Sequence, residues 1–409
     1  MATLLPFRAL RPVPSAAAGI AAVPYDVVTT DEARALADGN PLSFLRVSRA
    51  ELEFPTSADP YDDGVYARAA RNFASLKSSS LVLEPEPAIF CYRLRMGRHE
   101  QTGLAACFSL DEYDRDVIKK HERTRRDKED DRTRHMIALG AQTGPVFLVY
   151  RSSPEIATVI AKATGVEPLI DFTAAGGVQH TLWTVGAADR DTLITAFARI
   201  PALYIADGHH RAASAARARD EIRRNGGGQS LGDGADFTSM LGVAFPHDEA
   251  QILPYNRTVK DLAGLDDQAF LAAVGERFTI GPGPATPSAH GEIAMYFRGG
   301  WHTLRARTHT KASDAIGSLD VSVLQENLLA PVLKIADIRT DKRIDFVGGA
   351  RGTRALKDAV DSGRAAVAFS LFPVSVSDLI SVSDAGEIMP PKSTWFEPKL
   401  RDGLLIHVI

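Results

Sequence analysis

Residues 202–226 read ALYIADGHHRAASAARARDEIRRNG and give the clearest structural signal in the chain. The apolar residues 202–206 predict a short buried strand, and Asp207-Gly208 is typical of a turn. Residues 209–224 are rich in alanine and predict a helix, which Asn225-Gly226 ends. Strands and helices alternate on both sides of this stretch, so we expect an α/β protein of the mixed α+β kind.

The first turn of the predicted helix carries His209, His210 and Arg211. The amino end of a helix has a partial positive charge and free N–H groups, so each cation there is unfavourable by about 0.3–1 kcal/mol. A bound anion would compensate for this placement, and phosphate is the obvious candidate. The pattern therefore predicts a phosphate site at the start of the helix.

Two other interpretations compete with a phosphate site. Asp207 could act only as a helix N-cap, with one histidine in the core and Arg211 in solvent. A metal site built on the histidine pair is disfavoured, because neighbouring helical residues point about 100° apart. The chain also has no HxxxH or CxxC pattern of the kind that holds a metal ion.

Composition limits the class of protein. The chain has 409 residues, 45% of them hydrophobic, and a net charge of −4. It can bury a sizeable core, and its length suggests two or three domains. The charge argues against nucleic-acid partners, and no apolar run approaches the ~20 residues that span a membrane. The only cysteines are Cys91 and Cys107, which we expect to be buried free thiols in the cytoplasm.

We predict two domains with a boundary near residue 250. An N-terminal α/β region, residues 1–250, would carry the DGHHR phosphate site at 207–211. A C-terminal α/β region, residues 251–409, would contribute the proline-stiffened loop PPKST at 390–394. Loops often carry binding residues, and this one offers an ammonium group and two hydroxyls for a phosphate or a carboxylate.

The segment 119–135 is almost entirely charged. Its simplest interpretation is a solvated helix with ion pairs between residues four apart. Glu122, however, lies beside His121 and close to many cations. A carboxylate in that field stays ionised and could serve as a base if the fold brings it to a site.

Three short motifs in this order resemble those of the free-serine kinases of the ParB/sulfiredoxin-like superfamily. They are His121-Glu122, the DGHHR run at 207–211, and Pro391-Lys392-Ser393-Thr394. The kinases have proline where this chain has Lys120, and threonine where it has Ser393. Nearly the whole chain, from residue 6 to residue 399, also resembles the DUF1015 family.

The resemblance implies a ParB/sulfiredoxin-like core with large insertions, and a kinase that transfers phosphate from ATP or ADP to free L-serine to give O-phosphoserine. It implies Mg²⁺ as a cofactor with Asp207 as its ligand. The residue roles that it implies are catalysis by Glu122, Asp207 and His210, phosphate binding by Gly208, His209, His210 and Arg211, and substrate binding by Lys392, Ser393 and Thr394.

Three other functions are compatible with the same motifs. The first is a ParB-like regulatory module that binds or hydrolyses nucleotide, which would predict a basic DNA-binding surface. The second is a kinase for another small alcohol. The third is a protein that binds nucleotide without turnover.

Overall fold

The computed structural model describes residues 1–226, 236–307 and 315–409. The apolar run near residue 203 forms a strand, Leu203–Asp207, and the alanine-rich run forms a helix, His209–Arg224, as predicted. Helices and several sheets are present together, which confirms the mixed α/β class. No helix among the described residues is both long enough and apolar enough to span a membrane.

The described chain forms two compact units, and the first contains residues 1–250 and 398–409. Its strands up to residue 250 are β1 (Leu10–Pro12), β2 (Leu81–Leu83), β3 (Phe90–Met96), β4 (His99–Ser109), β5 (Ile118–Lys119), β6 (Ala141–Gln142), β7 (Val146–Tyr150), β8 (Ile170–Thr173), β9 (Val178–Thr184), β10 (Leu203–Asp207) and β11 (Ser239–Pro246). Its helices are α1 (Ala17–Ile20), α2 (Thr30–Ala37), α3 (Leu45–Ser48), α4 (Asp63–Ser79), α5 (Leu110–Asp114), α6 (Arg126–Leu139), α7 (Pro154–Ala163), α8 (Ala187–Phe197) and α9 (His209–Arg224).

An eight-stranded mixed sheet organises this unit, in the order β5-β10-β7-β11-β4-β3-β9-β8. The pairs β5·β10 and β7·β11 are parallel, and the other neighbouring pairs are antiparallel. Apolar side chains from the central strands and from α8 and α9 form the core, among them Phe108, Leu148, Phe197 and Ala212. Burial of such side chains is the main favourable contribution to folding.

The charged segment 119–135 does not form one solvated helix. Its start is the edge strand β5, followed by a connection, and α6 begins only at Arg126. Asp131 and His135 on α6 are buried, and Asp131 accepts a hydrogen bond of 2.8 Å from the Tyr66 hydroxyl. The expectation of a fully solvated helix is therefore wrong, because one polar face of α6 packs against neighbouring helices.

The two cysteines lie on the antiparallel strands β3 and β4, and both are buried free thiols, as predicted. Cys91 pairs with Leu104 in the sheet register, so the two sulfur atoms are not on facing positions.

The second unit contains residues 251–397. Its strands are β12 (Ile252–Leu253), β13 (Tyr255–Val259), β14 (Phe278–Pro282), β15 (Ile293–Phe297), β16 (Gly300–Ala306), β17 (Ile344–Gly348), β18 (Val367–Leu371) and β19 (Trp395–Phe396), and its helices are α10 (Asp267–Arg277), α11 (Asp320–Leu324), α12 (Gly352–Asp361) and α13 (Val376–Asp384). A six-stranded antiparallel sheet, in the order β14-β16-β15-β18-β13-β17, packs on its own apolar core.

Residues 398–409 belong to the first unit and not to the second. Their strand β20 (His407–Val408) pairs with β6, and Ile406 bridges to Leu10. The predicted C-terminal region 251–409 therefore differs from the structure over this segment. Nothing in so short a tail shows by sequence pattern alone which core its buried leucines will join.

Candidate functional site

The structure brings together two motifs that are far apart in the sequence. Strands β5 and β10 are parallel neighbours, with Ile118 opposite Leu203 and Lys119 opposite Tyr204. Parallel strands end at the same edge of a sheet, so the residues that follow each strand are neighbours. His121 and Glu122 follow β5, and the DGHHR run at 207–211 follows β10. The carboxyl ends of strands are a common place for ligand sites in α/β folds.

Gly208 makes the tight connection between β10 and α9. Its φ of 91° lies in the left-handed region that favours glycine, and it occupies the N-cap position of α9. A Cβ at this position would lie 3.0 Å from Cζ of Arg211, which is tighter than an ordinary contact. The first N–H groups of α9 have no partner within the helix, so this end can bind an anion.

His121, Glu122 and His209 form a cluster at this point. The imidazole rings of His121 and His209 meet edge to face with centroids 4.5 Å apart. Nδ1 of His209 lies 3.9 Å from Oε2 of Glu122, and Nε2 of His209 lies 3.5 Å from the backbone nitrogen of His121. The two histidines are buried, whereas the Glu122 side chain is 47% exposed. The carboxylate is therefore accessible beside the start of α9.

His210 connects α9 to the loop before α6. Its Nε2 accepts a hydrogen bond of 3.0 Å from the backbone N–H of Arg125. The ring is partly exposed, and burial is the largest cause that lowers its pKa. His210 is therefore a neutral side chain that holds this loop in place.

Arg211 points into the protein and not towards solvent. Its side chain is 5% exposed, donates a hydrogen bond to the Pro145 carbonyl, and lies 3.1 Å from the Asp207 carboxylate (Nη2 to Oδ2). Lys399 adds a second cation, with Nζ 3.6 Å from the same oxygen. Burial alone would raise the pKa of Asp207, but Lys399 and Arg211 lower it. The phosphate role predicted for Arg211 would require the side chain to leave these partners.

The electrostatics of the site differ from the sequence argument. Burial lowers the pKa of His121 to about 4 and that of His209 well below its usual value. Both rings are therefore neutral at pH 7, and the charge of Arg211 is balanced by Asp207. Asp207 itself is not the N-cap, because Gly208 occupies that position and α9 has no side-chain cap. The donors at the start of α9 are therefore backbone N–H groups and neutral rings, and Lys399 is a cation beside Asp207.

A small cavity of about 20 Å³ lies beside Arg211, and sequence analysis missed the other residues that line it. Three buried polar atoms of the lining residues have no hydrogen-bond partner in the described part of the chain: Oγ of Ser48, Nε of Arg211 and Oδ1 of Asp402. The volume is enough for one water molecule. Tyr25 also lines the cavity.

Asp402 makes stability depend on pH. Burial raises its pKa to about 7, with Asp26 acting in the same direction and Arg211, Arg132 and Arg401 acting against it. The unfolded chain loses this proton near pH 4, so the contribution to stability falls as pH rises from about 4 to about 7. We expect the Asp402→Asn variant to become more stable than the wild type as pH rises through this range. The difference in the free energy of unfolding, measured with urea, should reach about 4 kcal/mol at most. A difference that is constant with pH would contradict the assignment.

The predicted substrate residues lie in the second unit, where Lys392 precedes β19. Lys392 has a φ of 59° and its Nζ lies 5.6 Å from the ring centroid of Tyr255. Its carbonyl accepts a hydrogen bond of 3.2 Å from the buried Arg257. The Ser393 hydroxyl is buried and donates to the Pro390 carbonyl, so it is already used within the loop, and Thr394 is partly buried. Their role in substrate binding stays a prediction.

The residues present do not fit a magnesium ion held by the protein. Asp207, the predicted ligand, faces two cations, Arg211 and Lys399. The other candidate set, His121, Glu122 and His209, offers two nitrogens, whereas Mg²⁺ prefers six oxygen ligands. We therefore assign no reaction step to a magnesium ion on these side chains.

Comparison with known families identifies the chain. The model of the family described as "Protein of unknown function (DUF1015)" matches residues 4–322, and the chain belongs to this family. No curated protein matches the sequence.

Several solved structures are similar to part of the chain. A free serine kinase in complex with AMP has 12% identity and a TM-score of 0.36, covering 73% of this chain and 92% of the kinase. A conserved hypothetical protein from Pyrococcus furiosus has 13% identity and a TM-score of 0.36, covering 74% and 95% of the two chains. SbnI from Staphylococcus aureus, truncated at its C-terminus, has 12% identity and a TM-score of 0.37, covering 74% and 87%.

Proposed function

We propose that this protein is a small-molecule kinase that transfers a phosphoryl group from ATP or ADP to the hydroxyl of free L-serine and forms O-phosphoserine. One observation carries the proposal: the Glu122 carboxylate lies 3.9 Å from His209, the first residue of α9. A base and an anion-binding helix end are thus adjacent, although the two motifs are more than 80 residues apart. Phosphoryl transfer to an alcohol uses a base for the hydroxyl proton and donors that hold the phosphates.

In this proposal, the nucleotide phosphates bind the free N–H groups at the start of α9, beside His209. Neutral imidazoles donate hydrogen bonds to phosphate oxygens without the cost of placing cations at a helix amino end. Lys399 is the nearby cation that offsets the phosphate charge. Such donors are fixed before the reaction, so they stabilise the developing charge without reorganisation.

Glu122 takes the proton from the serine hydroxyl while the hydroxyl oxygen attacks the terminal phosphorus. The new phosphorus–oxygen bond forms as the bond to the bridging oxygen breaks, and the shortened nucleotide leaves with that oxygen. The exposed carboxylate suits this step, because the acceptor has to approach from solvent.

The other residues named by the resemblance have supporting roles in this proposal. Asp207 and His210 are positioning residues: Asp207 holds Arg211 and Lys399, and His210 holds the loop at Arg125. The loop with Lys392, Ser393 and Thr394 is proposed to bind the carboxylate group of the serine acceptor.

Phosphorus NMR of the reaction mixture tests the proposal. The full chain is incubated with Mg²⁺, ATP or ADP, and a panel of amino acids and small alcohols. We expect a new phosphomonoester resonance with L-serine that matches O-phosphoserine. A phosphomonoester formed from another alcohol would show that this alcohol, and not L-serine, is the acceptor. Inorganic phosphate alone would indicate a hydrolysing module, and no turnover with any acceptor would contradict the kinase assignment.

A further inference from the structure

The donor atoms of His121, Glu122 and His209 all lie within 4.8 Å of one another. We propose that these three side chains form a binding site for a divalent transition-metal ion of the Zn²⁺ type. Two imidazoles and one carboxylate are a common ligand set for such ions. This site differs, both in its ion and in its ligands, from the magnesium site on Asp207 that the resemblance implies.

The state of His121 is the first support. The side chain is buried, yet neither Nδ1 nor Nε2 makes a hydrogen bond of ordinary geometry with any described residue. The ring contacts the Ile205 backbone, but this contact lies outside ordinary hydrogen-bond geometry. Buried polar atoms in folded proteins rarely lack a partner, and a bound metal ion would supply one to this ring.

The placement of the ligands is the second support. His121 and His209 each lie two residues after the paired strands β5 and β10, so the sheet brings their backbones together. Ligands of a tetrahedral zinc ion lie about 3.3 Å apart, given bonds of about 2.0 Å. The three donor atoms therefore have to move somewhat closer together to bind the ion, and the exposed Glu122 side chain can make this movement.

Nδ1 of His209 faces Glu122 and is the nitrogen that would bind the metal ion. Binding there places the ring proton on Nε2, so Nε2 no longer accepts the hydrogen bond of 3.5 Å that the backbone N–H of His121 donates. That contact is at the long limit of a hydrogen bond and opens at little cost.

The chemistry of the donors selects the ion. Imidazole nitrogen suits Zn²⁺ and Co²⁺, whereas Mg²⁺ prefers oxygen. Three protein ligands leave one position open, as in catalytic and not structural zinc sites.

The metal site and the base role of Glu122 are alternative states of one carboxylate. A carboxylate oxygen that binds a metal ion is a weaker proton acceptor. Metal binding is therefore measured without nucleotide or serine, and its result does not depend on the proposed kinase activity.

Cobalt provides a direct test, because tetrahedral Co²⁺ absorbs visible light. The full chain, stripped of metal, is titrated with Co²⁺ and then with Zn²⁺ as a competitor. We expect one equivalent of Co²⁺ to bind with a visible absorption band, Zn²⁺ to displace it, and excess Mg²⁺ to leave it in place. No stoichiometric binding to the wild type, or displacement by Mg²⁺, would overturn the proposal.

Two variants identify the ligands. Glu122→Gln changes an exposed side chain and should keep the fold while weakening Co²⁺ binding at least about tenfold. Glu86→Gln is the matched control, because it makes the same chemical change at an exposed position outside the set, and it should bind Co²⁺ as the wild type does. Wild-type affinity in Glu122→Gln, or equal loss in both variants, would contradict the ligand assignment.

Discussion

Glu122→Gln lowers turnover in the proposed kinase reaction by about 10²–10⁴-fold, because the amide cannot accept the serine proton. Nucleotide affinity stays close to that of the wild type, because the proposed phosphate contacts come from the start of α9 and not from Glu122. The side chain is 47% exposed, so the isosteric change leaves the fold intact. Initial rates by phosphorus NMR and nucleotide titration by calorimetry measure the two quantities separately.

Glu86→Gln is the matched control for this experiment. It makes the same chemical change at an exposed position in the connector before β3. It should have wild-type turnover and wild-type nucleotide affinity. If Glu122→Gln also turned over at the wild-type rate, the base would have to be another group.

Arg211→Met destabilises the protein by about 3 kcal/mol. Loss of one partner from a buried ion pair typically costs about 3–5 kcal/mol, because the remaining charge is left without compensation. We expect the lower end of this range, because Lys399 remains 3.6 Å from Asp207. Methionine fills similar space, so the effect reports the lost charge and hydrogen bonds. Urea unfolding measures the change in the free energy of unfolding.

Arg217→Met on the same helix provides the comparison. Arg217 forms ion pairs with Glu129 and Asp130, but its side chain is 36% exposed, so its removal should cost no more than about 1 kcal/mol. Equal effects of the two substitutions would mean that Arg211 is not the buried, paired cation described above.

The local part of the site could be predicted from sequence. The strand at 203–207, the glycine turn and the helix at 209–224 each have their own signal in consecutive residues. Apolar runs, Asp-Gly turns and alanine-rich segments act over a few residues, so their interpretation does not depend on the rest of the fold.

The tertiary part of the site could not be predicted in the same way. Strand β5 is two residues long and carries no recognisable period, so nothing indicated that Glu122 follows a strand paired with β10. The partner of His209 is likewise His121 and not the adjacent His210. The pairing of β5 with β10 and the contact of His121 with His209 both depend on the fold and not on the local sequence pattern.

The direction of Arg211 is a second example. The sequence placed a guanidinium at a helix start, where solvent exposure or an anion would be natural. In the structure it turns inward to Asp207 and Pro145, next to a cavity lined by Asp402 from the C-terminal segment. No pattern in residues 207–211 indicates that residues almost 200 positions later complete their surroundings.

A crystal structure with bound ADP or ATP tests the central claim most directly. We predict electron density for the phosphates at the first N–H groups of α9, beside His209 and within reach of Glu122. Phosphates bound elsewhere, with the start of α9 covered only by protein side chains, would contradict the account.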